Sequence, residues 1–120
     1  MAISFENALG VHPEALNFRV QRTKVLASNL ANVDTPGYLA KDLTFTTVMN
    51  HFSQRSAHKL QEKLNIEAKY SVPYQNSNDG NTVELGVEQA KFTQNSMDFQ
   101  TSLTFLNMKF SGLAKVIEGR

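Results

Sequence analysis

Eight large apolar side chains near the C-terminus constrain this chain more than any other feature. Leu85, Phe92, Phe99, Leu103, Leu106, Phe110, Leu113 and Ile117 follow at intervals of seven, seven, four, three, four, three and four residues. The last six alternate four and three, the spacing that keeps one face of an α-helix apolar and suits a coiled-coil seam or bundle helix. A helix from Val83 to Ile117 is expected, roughly 50 Å long at about 1.5 Å per residue. Asn81 fits its N-cap, with Glu84 as the capping-box partner, and Gly119 fits its stop. A chain of 120 residues cannot wrap a rod of that length. Part of the seam is therefore expected to meet the middle of the chain or another molecule.

A second, shorter helix is expected from about Glu14 to Val33. Leu9, Leu16, Val20, Ala27 and Leu30 share a stripe, Thr23 fills its gap, and Leu26 and Val33 widen it. Proline is tolerated at the first helical position and an acidic residue suits the first turn, so Pro13-Glu14 reads as a start. Thr35 precedes a proline and is pushed out of the α region, while Pro36-Gly37 fits the centre of a type II turn.

Between these helices the pattern changes. Leu39, Leu43 and Phe45 alternate with Lys41, Asp42 and Thr44, which suggests a short strand or extended arm. Phe45, Val48, Met49 and Phe52 fit a short helical turn. Residues 53–69 are polar, with Leu60 and Leu64 as the clear apolar pair, and Tyr70 to Asn81 reads as a loop. The predicted organisation is a packed helical region formed by residues 1–37 and 81–120, with a protruding or mobile middle over 38–80. The fold class is all-α: two amphipathic helices paired as a hairpin or coiled coil, the middle irregular and partly extended.

Charge and chemistry exclude more than they suggest. Twelve Lys/Arg balance eleven Asp/Glu, and Arg19, Arg22 and Lys24 form at most a weak basic group, so nucleic acid is not an expected partner. No cysteine is present for a disulfide or thiolate site. His12, His51 and His58 are the only histidines, and the last two stand too far apart on one helix to share an ion. A calcium loop centred on Gly80 would place Gly86 where the bidentate Glu belongs. No nucleophile elbow or phosphate-binding glycine loop occurs. Glu84 and Glu88 lie one turn apart near a helix start, where negative charge is favourable without any acid–base role. The C-terminal helix has no basic face for a lipid surface. Neither cofactor, metal, small-molecule substrate nor catalysis is expected. The N-terminus lacks the charged start and apolar run of a signal peptide, and no stretch approaches a membrane span. Asparagine occurs eleven times, and Asn29, Asn95 and Asn107 sit inside helical segments. Partner contact and simple exposure stay open for them.

Ala27-Ser28-Asn29-Leu30-Ala31-Asn32-Val33-Asp34-Thr35-Pro36-Gly37-Tyr38 resembles the signature of flagellar rod and hook proteins, a helix ending in N-x-x-N followed by T-P-G-Y. Ala40 to Phe45, Asp79 to Leu85, Asn95 to Gln100 and Phe105 to Leu113 are similar to the proximal-rod (FlgB) family in particular. The departure is Gly86, early in the helix where relatives often carry charge, which leaves the helix start open. The resemblance implies a rod subunit at the base of the flagellar axis, exported without a cleaved signal peptide. It implies neighbours among other rod proteins, a FliE-type adaptor and the export apparatus. A helical adaptor of the export system or a sister rod protein is the alternative.

On both grounds the expected assembly interface comprises Leu16, Val20, Ala27 and Leu30 on the first helix. Phe92, Phe99, Leu103, Leu106, Phe110 and Leu113 supply the second. Their packing is expected partly within and partly between subunits. Asn32, Asp34, Thr35, Pro36, Gly37 and Tyr38 form the expected turn motif that ends the first helix, with Tyr38 and Phe45 covering the chain's exit. The ends are expected to be only partly ordered before assembly.

Overall fold

The structure, a computed structural model, describes residues 8–44 and 69–119. Two long helices dominate it, α1 over His12–Ala31 and α2 over Leu85–Glu118. A two-residue ladder lies between them in sequence: β1, Lys41–Asp42, pairs antiparallel with β2, Lys69–Tyr70. The suggestions made for Phe45, Val48, Met49 and Phe52, for Leu60 and Leu64, and for His51 and His58 fall outside the described residues.

Helix α1 starts two residues earlier than its pattern suggested. Gly10, at φ +64, breaks the chain, and Pro13 then sits within the first turn, where no backbone donor is missed. The C-terminal end lies at Ala31, well before Pro36, so the proline does not stop the helix. Asn32 makes the stop, its N–H donating to the carbonyls of Ser28 and Asn29. Helix α2 ends as expected on Gly119, which takes the left-handed φ of +71 and lets its N–H reach the Val116 carbonyl. The capping box at its start does not form. Glu84 is the N-cap residue without a side-chain cap, and Asn81 is buried elsewhere.

The helices run antiparallel: Asn29 meets Glu88, Thr23 meets Asn95, Arg19 meets Asp98, and His12 meets Phe105. The extended segment 38–43 lies along α1 and closes a small apolar cluster of Phe18, Val25 and Leu43. Ala15, Leu26 and Ala40 are also buried. Phe18 and Leu43 thus form an apolar contact between α1 and the arm. The contact between α1 and α2 is built differently.

Candidate assembly interface

Where α1 crosses α2, three polar side chains, Asn29, Glu88 and Asn95, are enclosed alongside Leu26. Asn29 Nδ2 donates to the Lys41 carbonyl (2.7 Å) and to Glu88 Oε2 (3.0 Å), and its Oδ1 accepts from the Lys41 N–H (3.1 Å). One amide therefore pairs with the arm as a strand would and with α2 as well. Two turns away Asn95 Nδ2 donates to the Arg19 carbonyl (3.1 Å) and Thr23 Oγ1 (2.7 Å). Asn17 and Asn107 are exposed, so the four helical asparagines divide two and two. Charged groups flank this line. Arg22 grips Asp42 through Nε–Oδ1 at 2.9 Å and Nη2–Oδ2 at 3.2 Å, and Lys91 stands near both Asp42 and Glu88. Arg19 reaches Asp98 at 3.3 Å; burial lowers its pKa, with Asp98 opposing and Arg22 adding to that shift.

Glu84 and Glu88 are both committed to structure. Glu84 Oε1 accepts from the Tyr74 and Gln75 amides, and Glu88 accepts from Asn29. Among the described residues no group of three His, Asp or Glu is placed to hold a metal ion, and no helix is long and apolar enough to cross a membrane.

The turn motif is held by a clasp from the far side of the sequence. Gly37 takes φ +72 and Tyr38 N–H reaches the Thr35 carbonyl, as a type II turn requires. Asn81 Nδ2 lies 3.1, 2.8 and 2.9 Å from the carbonyls of Asn32, Val33 and Thr35, and its Oδ1 accepts from Val83 N–H. Gly37 N–H donates to the Asp79 carbonyl, and Thr82 bonds both Tyr38 and Ala40. Within the motif, Asn32 Nδ2 donates to the Ser28 carbonyl, Thr35 Oγ1 to Asn32 Oδ1, and the Tyr38 hydroxyl meets Ser28 Oγ. Nothing among the described contacts explains the exposed Asp34.

The family is decided by comparison with known proteins. Residues 9–38 match the family described as flagella basal body rod protein. The chain is 41% identical to the flagellar basal body rod protein FlgB of Aeromonas hydrophila, covering 99% of this chain and 98% of that one. Identity to FlgB of Escherichia coli is 36% with 98% of each chain covered, and to FlgB of Salmonella typhimurium 36% with 93% and 94% covered. The chain belongs to the FlgB family of flagellar basal-body rod proteins. That family is structural and non-catalytic, and this member is not an enzyme.

In this FlgB-family chain the side chains singled out for assembly fall into two groups. Leu16, Leu30, Phe92, Phe99, Leu106 and Leu113 are half-buried, whereas Val20, Ala27, Leu103 and Phe110 are exposed. For Val20, Ala27 and Leu103 the reason is a small rotation of both helices, whereas Phe110 lies past the stretch of α2 that α1 meets. Arg19 and Leu26 turn inward where the stripe on α1 proposes Val20 and Ala27. On α2, Glu88, Asn95 and Ser102 join Phe92, Phe99 and Leu106 on the inner side, again at alternating four and three. No apolar periodicity identifies Asn81, Asn95 or Glu88 as contacts; an asparagine inside a helical pattern is the signal that was available.

Proposed function

We propose that this chain is a self-associating structural subunit of the proximal rod of the flagellar basal body, linking the membrane-ring and export base to the distal rod. The observation that carries this reading is end-to-end similarity to FlgB proteins, joined to an open apolar side on the helix pair. The arm packs on the side of α1 bearing Phe18, Val25 and Asn29, and reaches α2 where Asp42 stands 3.8 Å from Lys91. Helical spacing puts Val20 and Ala27 of α1, and Leu103 and Phe110 of α2, on the flanks away from it. These flanks form a side that neighbouring subunits cover in a tubular assembly, where the pair behaves as one coiled-coil layer with the arm packed against it. Other rod proteins are its neighbours, with a FliE-type adaptor and the export apparatus at the base.

Single cysteines at Ala27 and Leu103, introduced into the naturally cysteine-free chain, test the reading in purified basal bodies. Disulfide-linked dimers between copies, or links to other rod proteins, are expected. Recovery of the chain only in a soluble one-to-one complex, absent from basal bodies, would show a helical adaptor instead.

A further inference from the structure

We propose that Asn95 sets the rotational seating of α2 on α1, and thereby which apolar side chains are left for neighbours. Burial of apolar area alone favours a different seating. Alongside α1 the most apolar stripe of α2 runs through Phe92, Phe99, Leu103 and Leu106, yet Leu103 is 37% exposed while Asn95 is wholly enclosed. A primary amide withdrawn from water must find hydrogen-bond partners. Asn95 finds them only where the Arg19 carbonyl and Thr23 Oγ1 lie together, at 3.1 and 2.7 Å. The clasp at Asn81 and the Asn29–Glu88 bond hold one end of α2. Beyond Thr23 the Arg19–Asp98 pair is long-stemmed and partly exposed, which tolerates rotation.

This placement gives specificity without adding stability. Asn95 Oδ1 is buried with no donor among the described residues. Thr23 Oγ1 donates its own proton to the Arg19 carbonyl at 2.8 Å, a bond that does not involve Asn95. Replacing the amide by an apolar side chain therefore orphans no donor and removes an unpaired acceptor. A buried asparagine in a helical seam acts in the same way, fixing one arrangement at a cost in stability. In Asn95→Leu the apolar surface of α2 runs unbroken from Phe92 through the substituted site to Phe99 and Leu103, and several seatings become comparable.

The test uses full-length chain with spin labels on cysteines at the exposed positions Lys24 and Thr101. The parent is expected to give one narrow distance. Asn95→Leu is expected to broaden or split it while leaving Tm unchanged or raised, and Asn95→Gln, which keeps a primary amide, is expected to retain the parental distance. Thr23→Val is expected to lower Tm more in the parent than in the Asn95→Leu background. A narrow, unshifted distance in Asn95→Leu, identical behaviour of the Gln and Leu variants, or a lowered Tm with the distance unchanged would overturn the proposal. The link to assembly rests on the rod reading and has its own measure. Asn95→Leu is expected to enter basal bodies several-fold less, and undiminished entry despite a broadened distance would count against the rod packing rather than the seating.

Discussion

At Gly37 the backbone sits at φ +72 with open space where a Cβ would stand, so glycine is required there by its torsion and not by crowding. Gly37→Val is expected to cost about 1–2 kcal/mol in urea unfolding, and Gly37→Asn less, because asparagine visits the left-handed region more readily. Asn81 acts on the same turn through hydrogen bonds. Asn81→Ala strips the donor from three carbonyls and is expected to cost about 1–3 kcal/mol, with faster amide exchange at Gly37 and Thr82. Asp79 closes the clasp's own loop. The Ser77 hydroxyl and the Asn81 N–H, both donating to its carboxylate, hold its pKa below the ordinary 3.8. A depressed carboxyl pKa contributes stability above the unfolded value that disappears as pH falls through the folded one. Amide exchange at Gly80 and Asn81 is therefore expected to accelerate as pH drops below about 4, after correction for intrinsic rates, and Asp79→Asn to flatten that dependence.

Among the elements, α2 is the one whose length exceeds its support. Thirty-four residues span roughly 50 Å, while α1 has twenty and meets α2 only as far as His12 and Phe105 among the described residues. Phe110, Val116 and Ile117 follow that point, and Ile117 is 83% exposed. Phe110→Ser is expected to change the unfolding free energy by less than about 0.5 kcal/mol, as surface substitutions do, yet to reduce recovery of the chain in basal bodies. The arm depends on charge instead. Asp42 receives two bonds from Arg22 and one from its neighbour's amide, Leu43 N–H. Asp42→Ala is expected to cost about 1–2 kcal/mol by urea unfolding, toward the lower end for charge-assisted bonds because the pair is partly exposed.

For the whole molecule, one side of the helix pair is covered by its own arm and the other by nothing among the described residues. Such asymmetry suits an assembly in which each subunit presents one side to its neighbours, and non-closing contacts of that kind build helical polymers. Helicity of the isolated chain is expected to rise with concentration, because ordering a partly supported helix draws on burial between copies. Circular dichroism over a hundredfold dilution series measures this, and full helicity in the dilute monomer would contradict it. Leu103→Glu is expected to hold the chain monomeric in sedimentation at concentrations where the parent associates.

By itself the amino-acid sequence determined both helices, the turn at Pro36-Gly37, the stop at Gly119 and, through the segment from Ala27 to Tyr38, the family. These are local matters: a side-chain period, a torsion only glycine takes readily, a short motif within one window. Tertiary structure alone decided that Asn81 clasps the end of α1 instead of capping α2. It also turned Asn29 and Asn95 inward, and left Val20, Ala27, Leu103 and Phe110 at the surface. Each of those outcomes depends on polar partners far apart in sequence, 46 to 49 positions for Asn81, 59 for Asn29 and Glu88, and 72 and 76 for Asn95. Apolar periodicity reports how much surface a helix can bury. Which way the helix finally faces is settled by where its amides find partners, and that exists only once the chain has come together.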